Sequence, residues 1–132
     1  MNTYRPEHYI INSVNIQLID IFPFLKSGCA SNFLKYAVRY KDKGNPTDDL
    51  RKAIVYYNTM VFYNDYPDEY GKPLVAMFLN KLSTQNPILS VPDIFNKSCR
   101  EMLDRIYENI IDTLTYIENE SKENSSEGNR AI

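Results

Sequence analysis

The sequence predicts an all-α protein, a compact bundle of about four to five helices with a long C-terminal helix. Apolar residues recur at helical spacing in two long stretches, residues 50–61 and 94–117. Only 4 glycines occur in 132 residues, which argues against an all-β fold built from many tight turns. Asn45-Pro46 is a strong helix-start signal, with a capping side chain followed by proline at the first helical position.

The predicted helices follow from caps, breaks and apolar spacing. Pro23 should kink or end the first helix, and Asp48 and Asp49 favour the start of the third because a helix N-terminus attracts negative charge. Ser90 is the predicted cap of the last helix, with Pro92 in its first turn. We therefore predict helices over residues 13–25, 30–41, 46–63, 73–82 and 90–117.

The chain is predicted to form one helical domain over residues 1–117, followed by a tail. From Glu118 the composition changes to Glu, Asn, Ser, Lys and Gly, which predicts a disordered segment over residues 118–132. The last helix, of about 28 residues, is long compared with a usual mean near 12. Its outer half has too little of its own chain beside it, which predicts a homodimer.

Charge and hydropathy limit the partners. The net charge of −2 predicts no sequence-specific nucleic-acid partner, although residues 26–52 carry seven Lys/Arg against three Asp. No apolar run approaches the roughly 18 residues that span a bilayer, and the N-terminus lacks a signal-peptide core, so no membrane partner is expected. Cys29 and Cys99 form no disulfide framework, which favours reduced thiols and a location in the cytoplasm.

Several familiar chemistries are absent from the sequence. There is no G-x-x-x-x-G-K-[ST] phosphate loop and no G-x-G-x-x-G motif. His8 is the only histidine, and Cys29 and Cys99 lack the spacing of metal ligands, so no protein metal site is predicted. An enzymatic activity would therefore depend on positioning and charge.

One face of the second predicted helix is a candidate phosphate site. Asn32, Lys35 and Arg39 lie within about a 60° arc at 100° per residue. Arg offers a planar fork, Lys a point charge, and Asn can position either. Lys43 and Lys52 add positive charge from the flanking segments. The alternative interpretation is the solvated face of an amphipathic helix.

Three further side chains complete the predicted site, each with a structural alternative. Tyr36 can stack on a base, although tyrosines at helical spacing more often pack at the edge of a core. His8 can act as a general acid or base, or can pin the N-terminal arm. Asp20 can support a metal, or can form an ion pair with Lys35 or Arg39.

Short motifs in the N-terminal half resemble the SaV-like family of small bacteriophage proteins. Pro6-Glu7-His8-Tyr9 resembles the P-x-H-Y opening of that family, and Gln17-Leu18-Ile19-Asp20 is similar to its Glu-Cys-Ile-Asp stretch. Residues 32–39, NFLKYAVR, resemble its N-x-x-K-Y-x-x-R helix. Lys43-Gly44 and the segment DLRKAIVYY at 49–57 resemble its K-G and D-L-x-K-A-x-x-Y elements. The resemblance covers about residues 6–60.

The resemblance implies two different roles. The family is linked by similarity to a small phage nucleotide kinase that acts on deoxynucleoside monophosphates. Its name-giving member makes a lactococcal phage sensitive to a host abortive-infection system. The expected function is therefore a phage early protein of the host cytoplasm that handles nucleotides, with a nucleoside-monophosphate kinase-like activity as its concrete form. The alternative is a non-enzymatic phage protein that binds a host protein and is sensed by host immunity.

One departure from the family weakens the expected metal chemistry. Gln17 stands where the family has Glu, so Asp20 lacks the second carboxylate that would help it hold Mg²⁺. Mg²⁺ is therefore expected only if the protein is a kinase.

Overall fold

The computed structural model describes residues 23, 25–40 and 46–130, with side chains as far as residue 121. These residues form four α-helices and two short 3-10 helices, Pro87–Leu89 and Ile94–Asn96, with no strand among them. The all-α fold with a long C-terminal helix is thus confirmed. The α-helices are α1 (Gly28–Arg39), α2 (Pro46–Tyr63), α3 (Lys72–Leu82) and α4 (Cys99–Arg130).

Helix α1 begins where Ser27 caps it. The Ser27 hydroxyl accepts a hydrogen bond from the Ala30 amide at 3.0 Å, which satisfies one of the free N–H groups of the first turn. The helix therefore starts two residues before the predicted position. Its apolar face is fully or almost fully buried, and consists of Phe33, Leu34, Ala37 and Val38.

Helices α1 and α2 pack as an antiparallel pair. The Phe33 ring lies 5.7 Å from the Tyr57 ring, and the Tyr36 ring 5.8 Å from the Tyr56 ring. The chain after α2 returns to the start of α1, where the Ser27 hydroxyl donates to the Asp65 carbonyl at 2.7 Å. These contacts close the two helices into one hairpin and fix which residues face each other across it.

The other helices complete the core. Helix α2 contributes Leu50, Ala53 and Met60, whereas Val61, the last residue of the apolar stretch 50–61, is 45% exposed. The exposure of Val61 arises because α1 and α4 cover only part of the helix circumference. Further fully buried or nearly buried side chains come from α3 (Val75, Phe78, Leu79), from α4 (Met102, Leu103, Ile106, Ile110) and from the segments between them (Ile88, Leu89, Ile94).

The predicted start of the last helix at Ser90 is wrong. Asp93 adopts a left-handed conformation (φ 54°), which cannot be part of an α-helix, and the two 3-10 helices flank that break. Helix α4 begins instead at Cys99, behind a reciprocal cap. The Ser98 hydroxyl accepts from the Glu101 amide at 3.1 Å, and the Glu101 carboxylate accepts from the Ser98 amide at 2.9 Å.

The cap of α4 gives a direct test of this boundary. Ser98→Ala removes the acceptor for the Glu101 amide and is expected to lower the free energy of unfolding by about 1 kcal/mol. Ser90→Ala is the matched control, because the Ser90 backbone closes a 3-10 turn on Pro87 and its side chain caps no α-helix. Urea denaturation of both variants measures the difference. Equal losses, or a larger loss for Ser90→Ala, would contradict the observed start.

The far end of α4 extends beyond the predicted boundary at residue 117. Its backbone is helical as far as Arg130. Leu114 and Ile117 pack against the core, and Arg51 of α2 donates to the Glu118 carboxylate at 2.9 Å. The chain itself therefore covers part of the apolar face of α4 as far as Ile117, while Ile111 is 36% exposed. The homodimer and the disordered tail stay predictions.

Candidate functional site

Three cations converge on one tyrosine ring between α1 and α2. The Lys35 ammonium lies 5.3 Å from the centre of the Tyr36 ring, the Lys52 ammonium 5.5 Å and the Arg39 guanidinium 5.7 Å. The Tyr56 ring stacks on Tyr36 at an interplanar angle of 9°. We call these five residues the Tyr36 cluster. The structure thus brings together four of the predicted site residues: Lys35, Tyr36, Arg39 and Lys52.

Helix geometry and helix packing each supply part of this cluster. Tyr36 and Arg39 are three positions apart on α1, and Lys52 and Tyr56 are four apart on α2, so each pair shares a face of its helix. The stacked Tyr36 and Tyr56 rings bring these two helix faces into contact. Cation–π attraction to Tyr36 offsets part of the repulsion among the three positive charges.

The cluster has more positive than negative charge. Lys52 forms an exposed ion pair with Asp48 at 3.0 Å, and that carboxylate raises the pKa of Lys52 above its usual value. Within the described part of the chain, no carboxylate lies within salt-bridge distance of Lys35 or Arg39. An anion placed between the three cations would relieve their mutual repulsion, so the arrangement favours binding of a phosphate or another compact anion.

The remaining predictions about the site are either only partly supported or fall outside the described residues. The Asn32 side-chain amide donates to the Gly28 carbonyl of its own helix at 3.0 Å, so part of its donor capacity is already used. The faces of the Tyr36 ring are approached by Tyr56 and the cations, so a base would have to displace a cation to stack there. Its predicted role in base stacking stays a prediction. His8, Asp20 and Lys43 lie outside the described residues.

A second polar site lies on α4. A groove of about 250 Å³ is lined by Lys97, Glu101, Asp104, Arg105 and Glu108, together with apolar residues 91 and 92. Asp104 also accepts a hydrogen bond from the Tyr57 hydroxyl at 2.8 Å. The groove carries three carboxylates and two cations, and the residues that the structure describes contain no group of side chains suited to hold a metal ion. The groove therefore has less preference for an anion than the Tyr36 cluster has.

The two thiols are poor nucleophiles. Burial, with a smaller contribution from the Glu69 carboxylate, raises the pKa of Cys99 to about 12. Burial and the neighbouring Asp65 raise the pKa of Cys29 above its usual value. Because the thiolate is the reactive form, neither cysteine is a candidate for nucleophilic catalysis near neutral pH.

This protection of Cys99 is measurable. In a Cys29→Ser variant, which leaves one thiol in the chain, Cys99 should react with a disulfide reagent at pH 8 only as fast as the protein opens. The same variant in concentrated urea should react at once and serves as the control. A rapid reaction of the folded protein at pH 8 would contradict the burial of Cys99.

Comparison with known proteins adds one match. Residues 3–58 match the DUF3310 family, which is described as a family of proteins of unknown function. No curated protein and no solved structure matches the chain. The matched range contains every member of the Tyr36 cluster. The resemblance to the SaV-like phage proteins over a similar range stays a prediction.

The described helices also bear on the expected location. None of them carries an apolar stretch long enough to cross a bilayer. This finding agrees with the prediction that no membrane-spanning segment is involved, and the host cytoplasm stays a prediction.

Proposed function

We propose that the Tyr36 cluster binds the phosphate of a nucleotide, and that the chain is a phage protein that handles nucleotides. The observation that carries this proposal is the convergence of Lys35, Arg39 and Lys52 on one ring, with two of the three cations lacking a carboxylate partner among the described residues. The resemblance to a phage family supplies the biological context. A nucleoside-monophosphate kinase-like activity is the enzymatic form of the proposal.

The cluster has the chemistry that phosphoryl groups require. The Arg39 guanidinium can donate two parallel hydrogen bonds to phosphate oxygens, and the two lysines add point charges. Catalysis of phosphoryl transfer depends mainly on positioning and on the neutralisation of charge. In the kinase form, His8 and Asp20 would have to serve the proton or a Mg²⁺ ion. Asp48 is the nearest carboxylate shown at the cluster, and its pairing with Lys52 makes it a poor metal ligand.

Nucleotide binding is tested by the stability that a ligand adds. We expect one nucleoside mono- or triphosphate, with or without Mg²⁺, to raise the melting temperature by several degrees. A ligand that binds only the folded state adds about 2.7 kcal/mol at 100 times its Kd. Lys35→Ala or Arg39→Ala should abolish the shift, whereas Lys81→Ala on α3 should keep it. Absence of a shift with every nucleotide would remove the proposal.

The kinase form needs its own measurement. Full-length protein with ATP, Mg²⁺ and each deoxynucleoside monophosphate should convert the monophosphate to the diphosphate at a rate above that of the Arg39→Ala variant. If the protein binds a nucleotide but does not convert the monophosphate to the diphosphate, the binding proposal stands and the kinase-like activity is wrong.

A second candidate function is the non-enzymatic binding of a host protein. It is favoured by the outer face of α2, where Phe62 and Tyr63 are 78% and 71% exposed and Val55, two helical turns earlier, is also exposed. Exposed aromatic residues of this kind are enriched at protein interfaces. An abortive-infection protein of the host would be such a partner. Phe62→Ser should then weaken capture of a defined host protein while nucleotide binding stays unchanged.

A further inference from the structure

The exposed edge of α2 extends the Tyr36 cluster in one direction. Lys52, Tyr56 and Tyr63 are separated by four and seven positions, so they lie within about a 60° arc of the helix. Thr59 lies between the two tyrosines, and its hydroxyl is turned to its own helix, where it donates to the Val55 carbonyl at 2.8 Å. One edge of the hairpin therefore carries cations at one end and an exposed aromatic ring at the other.

This edge of α2 is longer than the surface that one phosphate group can contact. Tyr56 and Tyr63 are separated by about 10 Å along the helix axis, at 1.5 Å per residue. Successive nucleotides of one stacked strand are about 3.4 Å apart, so the interval corresponds to about three nucleotide steps. Tyr63 is one of the most exposed rings on α2, and its T-shaped contact with Phe62 (4.8 Å) leaves a large part of its surface to solvent.

Positive charge is concentrated at the Lys52 end of the edge. The stretch 26–52 has a local excess of positive charge although the whole chain has a net charge of −2. The Asp48 carboxylate is paired with the Lys52 ammonium, whereas the Asp65 carboxylate, just after the other end of α2, accepts from the Cys29 amide at 3.3 Å and keeps its negative charge. Cations that follow a backbone, combined with rings that stack on bases, are the two components of sequence-independent single-strand binding.

We propose that this edge binds a short single-stranded nucleic acid without sequence preference. Its phosphates lie at Lys35, Arg39 and Lys52, and a base stacks on Tyr63 about three nucleotides away. The inference rests on the proposed function, because both use the same three cations as phosphate contacts. It goes beyond that function because the ligand is a strand rather than a free nucleotide. Tyr63 thereby becomes a binding residue that phosphate recognition alone does not require.

The test compares ligand lengths on the full-length chain. Fluorescence anisotropy with labelled oligo-dT of two to ten nucleotides, and competition by dTMP, gives Kd for each length. We expect Kd to fall as the strand lengthens to about four nucleotides and then to level off. Tyr63→Ala should weaken oligonucleotide binding by at least about fivefold, the loss of one base–ring stack, and leave dTMP binding unchanged. Tyr116→Ala, an exposed tyrosine of α4, is the matched control.

Salt dependence gives an independent readout. Three phosphate contacts on a single strand predict a slope of about −2 in a plot of log Kobs against log salt concentration. Replacement of Lys35 and Arg39 should reduce that slope to about −0.7, because one contact then remains.

The outcomes separate the two proposals. If dTMP binds as tightly as the longest strand and Tyr63→Ala changes neither, the strand inference is wrong while nucleotide binding stands. Oligonucleotide binding whose Kd and salt slope are unchanged after replacement of Lys35 and Arg39 would also overturn it, since the strand would then lie elsewhere. If neither dTMP nor any oligonucleotide binds, both proposals fail together.

Discussion

Lys35→Glu combined with Arg39→Glu is expected to weaken binding of a nucleotide phosphate by more than about 100-fold. Hydrogen bonds to charged groups contribute about 1.5–3 kcal/mol each, so the loss of two contacts removes at least about 3 kcal/mol. The native Lys35 and Arg39 cations lie 5.3 and 5.7 Å from the centre of the Tyr36 ring. The two new carboxylates put negative charge in their place and therefore repel the phosphate. Isothermal titration with the nucleotide identified by thermal shift measures the change.

The matched control for this variant reverses the same number of charges elsewhere. Lys81→Glu combined with Arg105→Glu changes the net charge identically and replaces exposed residues of α3 and α4. If long-range attraction were responsible for binding, both double variants would lose affinity to the same degree, and the cluster would have no special role. The fold should survive the cluster variant, because Lys35 and Arg39 make no ion pair within the described part of the chain.

Phe33→Ala is expected to lower the free energy of unfolding by about 3–5 kcal/mol. The Phe33 side chain is 0% exposed and its ring packs between α1 and α2, 5.7 Å from Tyr57. Truncation removes apolar burial and leaves a cavity that the rigid hairpin cannot fill. Because small domains are stable by only about 5–15 kcal/mol, the variant will be close to unfolding at physiological temperature.

Phe62→Ala tests whether the loss of stability in Phe33→Ala comes from the burial of Phe33 or from the loss of a phenylalanine ring as such. Phe62 is largely exposed at the end of α2, so Phe62→Ala should change the free energy of unfolding by no more than about 0.5 kcal/mol. Urea denaturation followed by circular dichroism measures both variants. A loss at Phe62 as large as that at Phe33 would mean that the exposed face of α2 is covered in solution, for example by a second copy of the chain.

Local signals predicted the helices well where the sequence contains caps and apolar spacing. The prediction of α2 matched its observed bounds, because Pro46 and the two aspartates after it favour a helix start. The start of α4 was missed although Ser98 and Glu101 form the S-x-x-E capping pattern. Ser90 and Pro92 gave a similar start signal, and only the left-handed Asp93 excludes it.

The candidate site was predictable only in part. The spacing of Lys35 and Arg39 on one helix placed them on a common face. The convergence of Lys52 and Tyr56 on Tyr36 depends on the register between α1 and α2, which tertiary packing sets. Tyr63, which the strand inference uses, shares a helix face with Lys52, and the sequence alone did not show that a ring at this position is available to a ligand. The structure leaves the Tyr63 side chain 71% exposed.

The closure of α1 and α2 by Ser27 and Asp65 has a consequence for the order of folding. The contacts that shape the Tyr36 cluster join residues at most about 40 positions apart in the sequence, within one hairpin. Short loops cost little entropy to close, so such contacts form faster than those to the distant α4. We therefore expect the hairpin to become protected from amide exchange before α4 docks on Tyr57 during refolding. A nascent chain would then form the Tyr36 cluster before its C-terminal helix is complete.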